Sequence, residues 1–529
     1  MKKYLLCNGK VRTMDPNNPL AAAVLVVDGK ILAVGADSDL NVLAGRDCEK
    51  IDLHGRLVIP GLVDSHTHFT MFALGLEQVS LEGTRNVEEA LDRFREKAKT
   101  LSPGEWVLGV NWDKNVWPGG NAPTKEDADR ALPTNPLCVI SKCGHLTWAN
   151  SLAFQMAGIT RDTPTPAGGE IEKNPVTGEP TGILKENAAI LIQDLIPQPS
   201  QADYQKVIRS CIKLAHSKGL TGIHNCEGPE PFRAFQTLAQ NGELAFRVHH
   251  HIAMENLDDA VALGLQTGFG SPTLSIGSLK LFADGALGSQ TADMLEPYEE
   301  RPDYYGIVVN TKEELHRMIK KAAAASISSA VHAIGDAANR TLLDIYEDIL
   351  PLTRTGGLRQ RIEHAQILKA EDIERFGRLG VIASVQPLHA TSDMYIVDRH
   401  WGKRGRYAYA FKSFIRSGAP YAYGSDVPVE TFDPLKGIFA GVSRRREDNL
   451  RAEPWYPEEI LTVREAVYGY TMGAAYASYE ENIKGSLTPG KLADLVILSK
   501  DIFSIPEDEI LTTQVDCTMV GGEIVYERA

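Results

Sequence analysis

The sequence predicts an α/β protein. Its centre reads as a (β/α)8 TIM barrel, with a composite β-sandwich domain from both termini and a long insertion after strand 1. Three observations predict this. Both chain ends are rich in β-formers. The middle alternates short apolar runs with amphipathic, helix-like stretches. Eight such runs occur, each ending in polar or charged residues.

The first 58 residues read as short strands. Residues 21–35 hold two β-rich runs joined by Asp28-Gly29, a hairpin signal, and residues 56–60 read as another strand. The same texture returns at 485–499 and 517–527, with a Gly-Gly turn at 521–522. Residues 1–58 and 479–529 are therefore assigned to one β domain, and 59–478 to the barrel. The eight barrel runs are 57–68, 220–227, 245–252, 275–285, 327–336, 359–366, 380–387 and 419–426. Helix-like sequence such as 311–326 and 369–380 lies between them. Residues 69–220 are too many for one crossover, so they form an insertion with its own structure. Within it, Thr124 followed by Asp127 reads as a helix N-cap, and Asn174 to Glu179 as a hairpin turn.

Composition excludes several classes. At 43% hydrophobic and 23% charged the chain is an ordinary globular one, neither disordered nor collagen-like. The net charge of −14 argues against a nucleic-acid partner, and the dense basic run Arg444-Arg445-Arg446 reads as a solvated helix face. Seven cysteines without a Cys-x-x-Cys pair make a disulfide framework unexpected. No apolar stretch is long enough for a membrane span, and the N-terminus lacks a secretory signal's apolar run. The expectation is a cytoplasmic protein acting on a small molecule, with no membrane partner and a homodimer left open.

The chemistry gathers at strand ends. His66 and His68 are two apart at the end of strand 1, so both imidazoles share a face at the barrel's C-terminal mouth. Alone, this pair is a weak metal signal and reads more readily as a polar strand end with solvated histidines. His332, His364 and Asp426 end strands 5, 6 and 8, spaced by one and then two βα units of about 30 residues each. Imidazoles with a carboxylate suit zinc or a similar divalent metal. Lys280 sits in the apolar run of strand 4, on one face with Phe282 and Asp284. A charged, unpaired lysine there is costly. Two readings stay open: an ion pair with Asp284, or a neutral amine that takes up CO2 and becomes an anionic ligand able to bridge two metals.

Further residues are candidates for substrate contact. They are His145 and Trp112 in the insertion, His224 at the end of strand 2, and Gln386 and His389 after strand 7. For Trp112 core packing is the alternative; for His145, a local hydrogen bond. His249-His250-His251 reads as alternating strand packing or pocket lining rather than a metal site. Glu363 precedes His364, so on a regular strand it points away from the site.

Several segments together resemble one family. "VIPGLVDSHTHF" is similar to the first-strand motif of the amidohydrolase superfamily of metal-dependent hydrolases. "LKLFADGALGSQTA" resembles its lysine strand, "AVHAIGDAANR" and "RIEHAQ" its next two histidine strands, and "YGSDVPVETFDPLKGI" its aspartate strand. "GSLTPGKLADLVIL" resembles the return into the β domain. Within the superfamily the chain resembles the amidohydrolase-3 or YtcJ-like group, which includes N-substituted formamide deformylases. The resemblance implies that His66, His68 and Asp426 hold one metal ion. It implies that carboxylated Lys280 bridges to a second, held by His332 and His364. Zinc, as one ion or two, is the implied cofactor, and Asp426 the implied catalytic group. The implied reaction is hydrolysis of a non-peptide C–N bond, amide or formamide-like, by metal-activated water. A cyclic-amide hydrolase or deaminase is the alternative within the superfamily. A non-catalytic regulatory or binding protein on the same fold is the alternative outside that class.

Overall fold

The computed structural model describes residues 2–113, 117, 122–142, 145–299 and 301–529. It comprises two compact units, Met1–Met71 with Tyr204–Ala529, and Phe72–Asp203.

The larger unit contains the barrel. Its eight strands are β1 (Leu62–Thr67), β2 (Leu220–Asn225), β3 (Arg247–Ala253), β4 (Leu274–Phe282), β5 (Ser329–Ala333), β6 (Arg361–His364), β7 (Ile382–Val385) and β8 (Tyr421–Tyr423). They pair in parallel and in chain order from β1 to β8. A Thr67–Val427 bridge closes the ring, and the Asp426 N–H donates to the His66 carbonyl at 2.8 Å. Strands covered on both faces need apolar residues at nearly every position, which is why these runs stood out. The helices between them carry one apolar stripe each. Lys312–Ala324 starts in a Thr311–Glu314 capping box and buries Leu315, Met318, Ile319, Ala322 and Ala323.

The same unit holds two further sheets. One orders Lys30–Gly35, Ala23–Val27, Lys3–Cys7 and Glu49–Asp52. The other orders Glu523–Glu527, Val515–Val520, Leu495–Leu498, Leu57–Pro60, Lys10–Arg12 and Leu20–Ala21. Leu495–Leu498 thus lies between a C-terminal and an N-terminal strand, and Leu6, Val24 and Val58 share a core with Leu495, Ile497 and Met519. The run 57–68, expected as one barrel strand, is divided at Gly61 between this sheet and β1. Strand 2 passes so close there that a Cβ on Gly61 would meet the Thr221 side chain at 2.4 Å.

The smaller unit is built on a six-stranded mixed sheet, ordered Gly169–Lys173, Pro180–Glu186, Leu146–Ala149, Leu137–Ser141, Val107–Trp112 and Val79–Ser80. Thr124 and Asp127 form the expected capping box, and Asn174 accepts the expected turn, its N–H donating to Glu179 at 2.8 Å.

One surface expectation is corrected. Arg444 is fully buried behind the helix Pro434–Ser443, where its Nε donates to the Trp455 carbonyl at 3.0 Å and its Nη1 to the Tyr409 carbonyl at 3.1 Å. Backbone carbonyls take up two of the guanidinium nitrogens, while the buried Nη2 has no hydrogen-bond partner. Arg446 lies past the end of that helix, half-exposed and paired with Asp448 at 2.8 Å. Among the described residues no helix is long and apolar enough to cross a membrane.

Candidate metal centre

A cavity of about 440 Å³ opens at the C-terminal mouth of the barrel. His66, His68, Lys280, His332, His364 and Asp426 all line it, each from the end of a different strand except for the β1 pair. His389 lines it as well.

Asp426 is the hub. Its Oδ1 lies 3.5 Å from His66 Nε2 and 3.4 Å from His68 Nε2, and its Oδ2 lies 4.0 Å from His389 Nε2. Among the described residues two groups have ligand atoms mutually within 4.8 Å, His66–His68–Asp426 and His364–His389–Asp426. Burial alone would raise the Asp426 carboxyl. The His68 contact works against this and holds the carboxyl below the ordinary carboxylate range.

The partners of the histidines decide which nitrogen is free. His66 Nδ1 lies 2.7 Å from Glu363 Oε2, so the proton sits on Nδ1 and Nε2 offers its lone pair toward Asp426. His364 Nδ1 donates to Gln386 Oε1 at 2.9 Å, which frees Nε2. His332 Nε2 donates to the Gly285 carbonyl at 2.9 Å, which frees Nδ1. Burial lowers all three rings, His332 to about 3, so they are neutral at ordinary pH. Neutral imidazoles with one lone pair each, beside an ionised carboxylate, are a donor set that fits a divalent cation.

Lys280 is 3% exposed, and its Nζ has no hydrogen-bond partner; the Phe282 ring lies 4.3 Å away. Burial pushes its amine down from the usual lysine range. The ion pair with Asp284 is not formed. That carboxylate instead accepts the backbone N–H groups of Asp293, Ile334 and Gly335 at 2.9, 3.0 and 2.7 Å.

Several expected contacts are corrected. Glu363 points into the barrel, not away. His364 and Ala365 take left-handed backbone, at φ 73° and 42°, so the alternation breaks and both Glu363 and His364 turn inward. Trp112 is buried in the core of the smaller unit, where its Nε1 donates to the Val139 carbonyl at 3.1 Å. His224 lies inside the barrel but does not line the cavity. Its Nδ1 accepts from Arg361 at 2.9 Å, and its ring packs 5.1 Å from His249 and 6.4 Å from His251. His250 faces the other way and stacks on Phe232 at 4.8 Å, completing the expected alternation. Gln386 serves His364 rather than the cavity. His145, in the smaller unit, is exposed and pairs with Glu186 at 3.0 Å; the neighbouring Cys143 and Gly144 lie outside the described residues. Arg361 escaped notice in the sequence, and Glu363 was read there only as turned away from the site. The signal was there, since Arg-x-Glu puts two charges on one face of an apolar strand, as with Lys280.

The sequence profile of the amidohydrolase family matches residues 49–526. The protein YtcJ of Bacillus subtilis is 35% identical, with 100% of each chain covered. The N-substituted formamide deformylase of Arthrobacter pascens is 29% identical, covering 100% of this chain and 99% of its own. Among solved structures, an uncharacterized metal-dependent hydrolase from Pyrococcus horikoshii OT3 superposes with a TM-score of 0.78 at 29% identity, over 96% of this chain and 99% of that one.

Proposed function

The chain belongs to the amidohydrolase family and is a hydrolase of that superfamily, and from that premise we propose that it cleaves a non-peptide C–N bond in a small amide, using a divalent metal ion at the barrel mouth. The observation that carries this reading is the convergence of histidine nitrogens on the Asp426 carboxylate at 3.4–4.0 Å. His66, His68 and Asp426 would hold one ion, and His332 and His364 a second, with zinc the metal best suited to this set. When bound, such an ion polarises a carbonyl and lowers the pKa of water toward neutrality.

The chain's own residues do the rest. Asp426 takes the proton from the attacking water and passes it to the leaving amine; one carboxylate suffices because the two transfers come in sequence. Lys280, buried without a partner, is the group to be carboxylated. Its amine lone pair attacks CO2, a C–N bond forms, and one proton is released. The product is an anionic ligand where an ammonium would be stranded. The substrate class is formamide-like or N-acyl, supported by the likeness to the deformylase. Phe282, Leu287, Ile334 and Val429 give the cavity an apolar wall for the substituent on nitrogen.

The test is a metal analysis followed by a screen of N-substituted formamides, N-acyl amines and cyclic amides, with amine release as the readout. Hydrolysis that is lost to a chelator and restored by zinc is the expected result. Metal-loaded protein inert toward every class, or turnover indifferent to chelation, would overturn the reading.

A further inference from the structure

Arg361 and Glu363 form an ion pair with both side chains fully buried in the barrel. Arg361 Nε donates to Glu363 Oε1 at 2.8 Å, and its Nη2 to Oε2 at 3.1 Å. The rest of the guanidinium reaches across the barrel. Nη1 donates to His224 Nδ1 at 2.9 Å, and Nη2 to the Ser65 carbonyl at 2.8 Å and to Ser384 Oγ at 2.9 Å. One side chain thereby ties β6 to β1, β2 and β7. A buried ion pair is a poor device for stability alone, because apolar residues of similar volume commonly do as well or better.

What sets this pair apart is its outlet. Glu363 Oε2 is 2.7 Å from His66 Nδ1. The three strand-end histidines with a fixed second nitrogen have unequal partners. His364 donates to an amide oxygen and His332 to a backbone carbonyl, with the Asp284 carboxylate farther off at 3.6 Å; of the three, His66 alone meets a carboxylate at hydrogen-bond distance, 2.7 Å. A charge-assisted bond is the strongest of the three and the most effective at making the opposite nitrogen a better donor.

We propose that Glu363, held in place by Arg361, is a positioning residue that fixes the Nδ1–H form of His66 and so sets the metal affinity of the His66–His68–Asp426 position. This rests on the metal reading given under Proposed function. Arg361 has a part of its own. Its planar fork occupies both carboxylate oxygens, so Glu363 cannot turn away from His66.

The test is Glu363→Gln. An amide has one oxygen, and Arg361 presents two donors to it. The NH2 group then faces His66 Nδ1, which must accept, and the His66 proton moves to Nε2, the ligating atom. Zinc dissociation constants are measured by chelator competition on protein whose fold is verified by circular dichroism. The expected rise is about 10–100-fold, the usual effect of losing such a partner. Cobalt(II) in place of zinc should show an altered visible spectrum. Glu363→Gln leaves Arg361 short of an acceptor, so the variant can fail to fold. A double variant, Arg361→Met with Glu363→Leu, removes both charges together and keeps the apolar volume. The proposal expects the same loss of affinity there. Wild-type affinity and spectrum in either folded variant would overturn it. A wild-type chain that binds no zinc at all would instead overturn the metal reading beneath it.

Discussion

Asp426→Asn separates chemistry from architecture at the centre of the cavity. Asp426 sits at φ 60°, in left-handed backbone. Asparagine tolerates that region, whereas alanine would add strain of about 1–2 kcal/mol and blur the result. The main-chain bonds of the residue, from its N–H to the His66 carbonyl and from the Val429 N–H to its own carbonyl, do not involve the side chain. The carboxylate's close neighbours are histidine nitrogens at 3.4–4.0 Å, which an amide of the same shape can still meet. A purely structural role would cost about 1 kcal/mol of stability and leave turnover alone. A proton-transfer role predicts a fall in kcat of about 10²–10⁴-fold, or roughly 2.7–5.5 kcal/mol on the barrier. The assay compares kcat on any substrate found by screening, with metal content matched by elemental analysis and the fold checked by thermal melting. Zinc affinity should fall less than turnover, because His66 and His68 remain. Activity within about tenfold of wild type at equal zinc would remove Asp426 from proton transfer, and the hydrolytic scheme with it.

Lys280→Ala should abolish turnover while leaving the fold intact, since it removes an unpartnered buried amine; short carboxylic acids should restore part of the activity, and full activity without them would refute carboxylation. Removing residues 485–529 takes away the strands paired beside Leu57–Pro60 and leaves Arg247 without the Asp494 carboxylate it meets at 3.0 and 2.8 Å. That truncate should be insoluble, and a soluble, active one would show that the two chain ends fold independently. Burial holds His216 and His250 down to about 4, below the usual 6.5. Their contribution to stability is complete above pH 6.5 and is lost as the pH falls toward 4, about 3 kcal/mol for each. Urea midpoints of the metal-free chain should therefore drop steadily between pH 6.5 and 4.5; a flat profile would contradict neutral burial.

The barrel was readable in advance for a simple reason. Each strand is covered on both faces, so each left an apolar run, and all eight runs correspond to β1–β8. His66 and His68 were visible as a pair because a strand repeats every two residues, and Asp426 because strand ends recur at the βα spacing. Lys280 stood out because a lysine is foreign to an apolar run. These are local properties, carried by the order of residues along the chain.

Other features depend on neighbours distant in sequence. The left-handed backbone at His364 and Ala365, which no residue type there announces, turns His364 to the same side as Glu363. The value of Glu363 lies in reaching His66, which approaches only when β6 and β1 stand across the closed barrel. Gln386 and His224 were correctly placed at strand ends, yet which atom each one meets depends on adjoining strands, His364 in one case and Arg361 in the other. The run 57–68 carries no mark of its division at Gly61, because the demand for a missing Cβ comes from Thr221 on the next strand. Periodicity along a chain reports which face a side chain takes. What that side chain touches is settled by packing between strands, where ångström differences in register choose the partner.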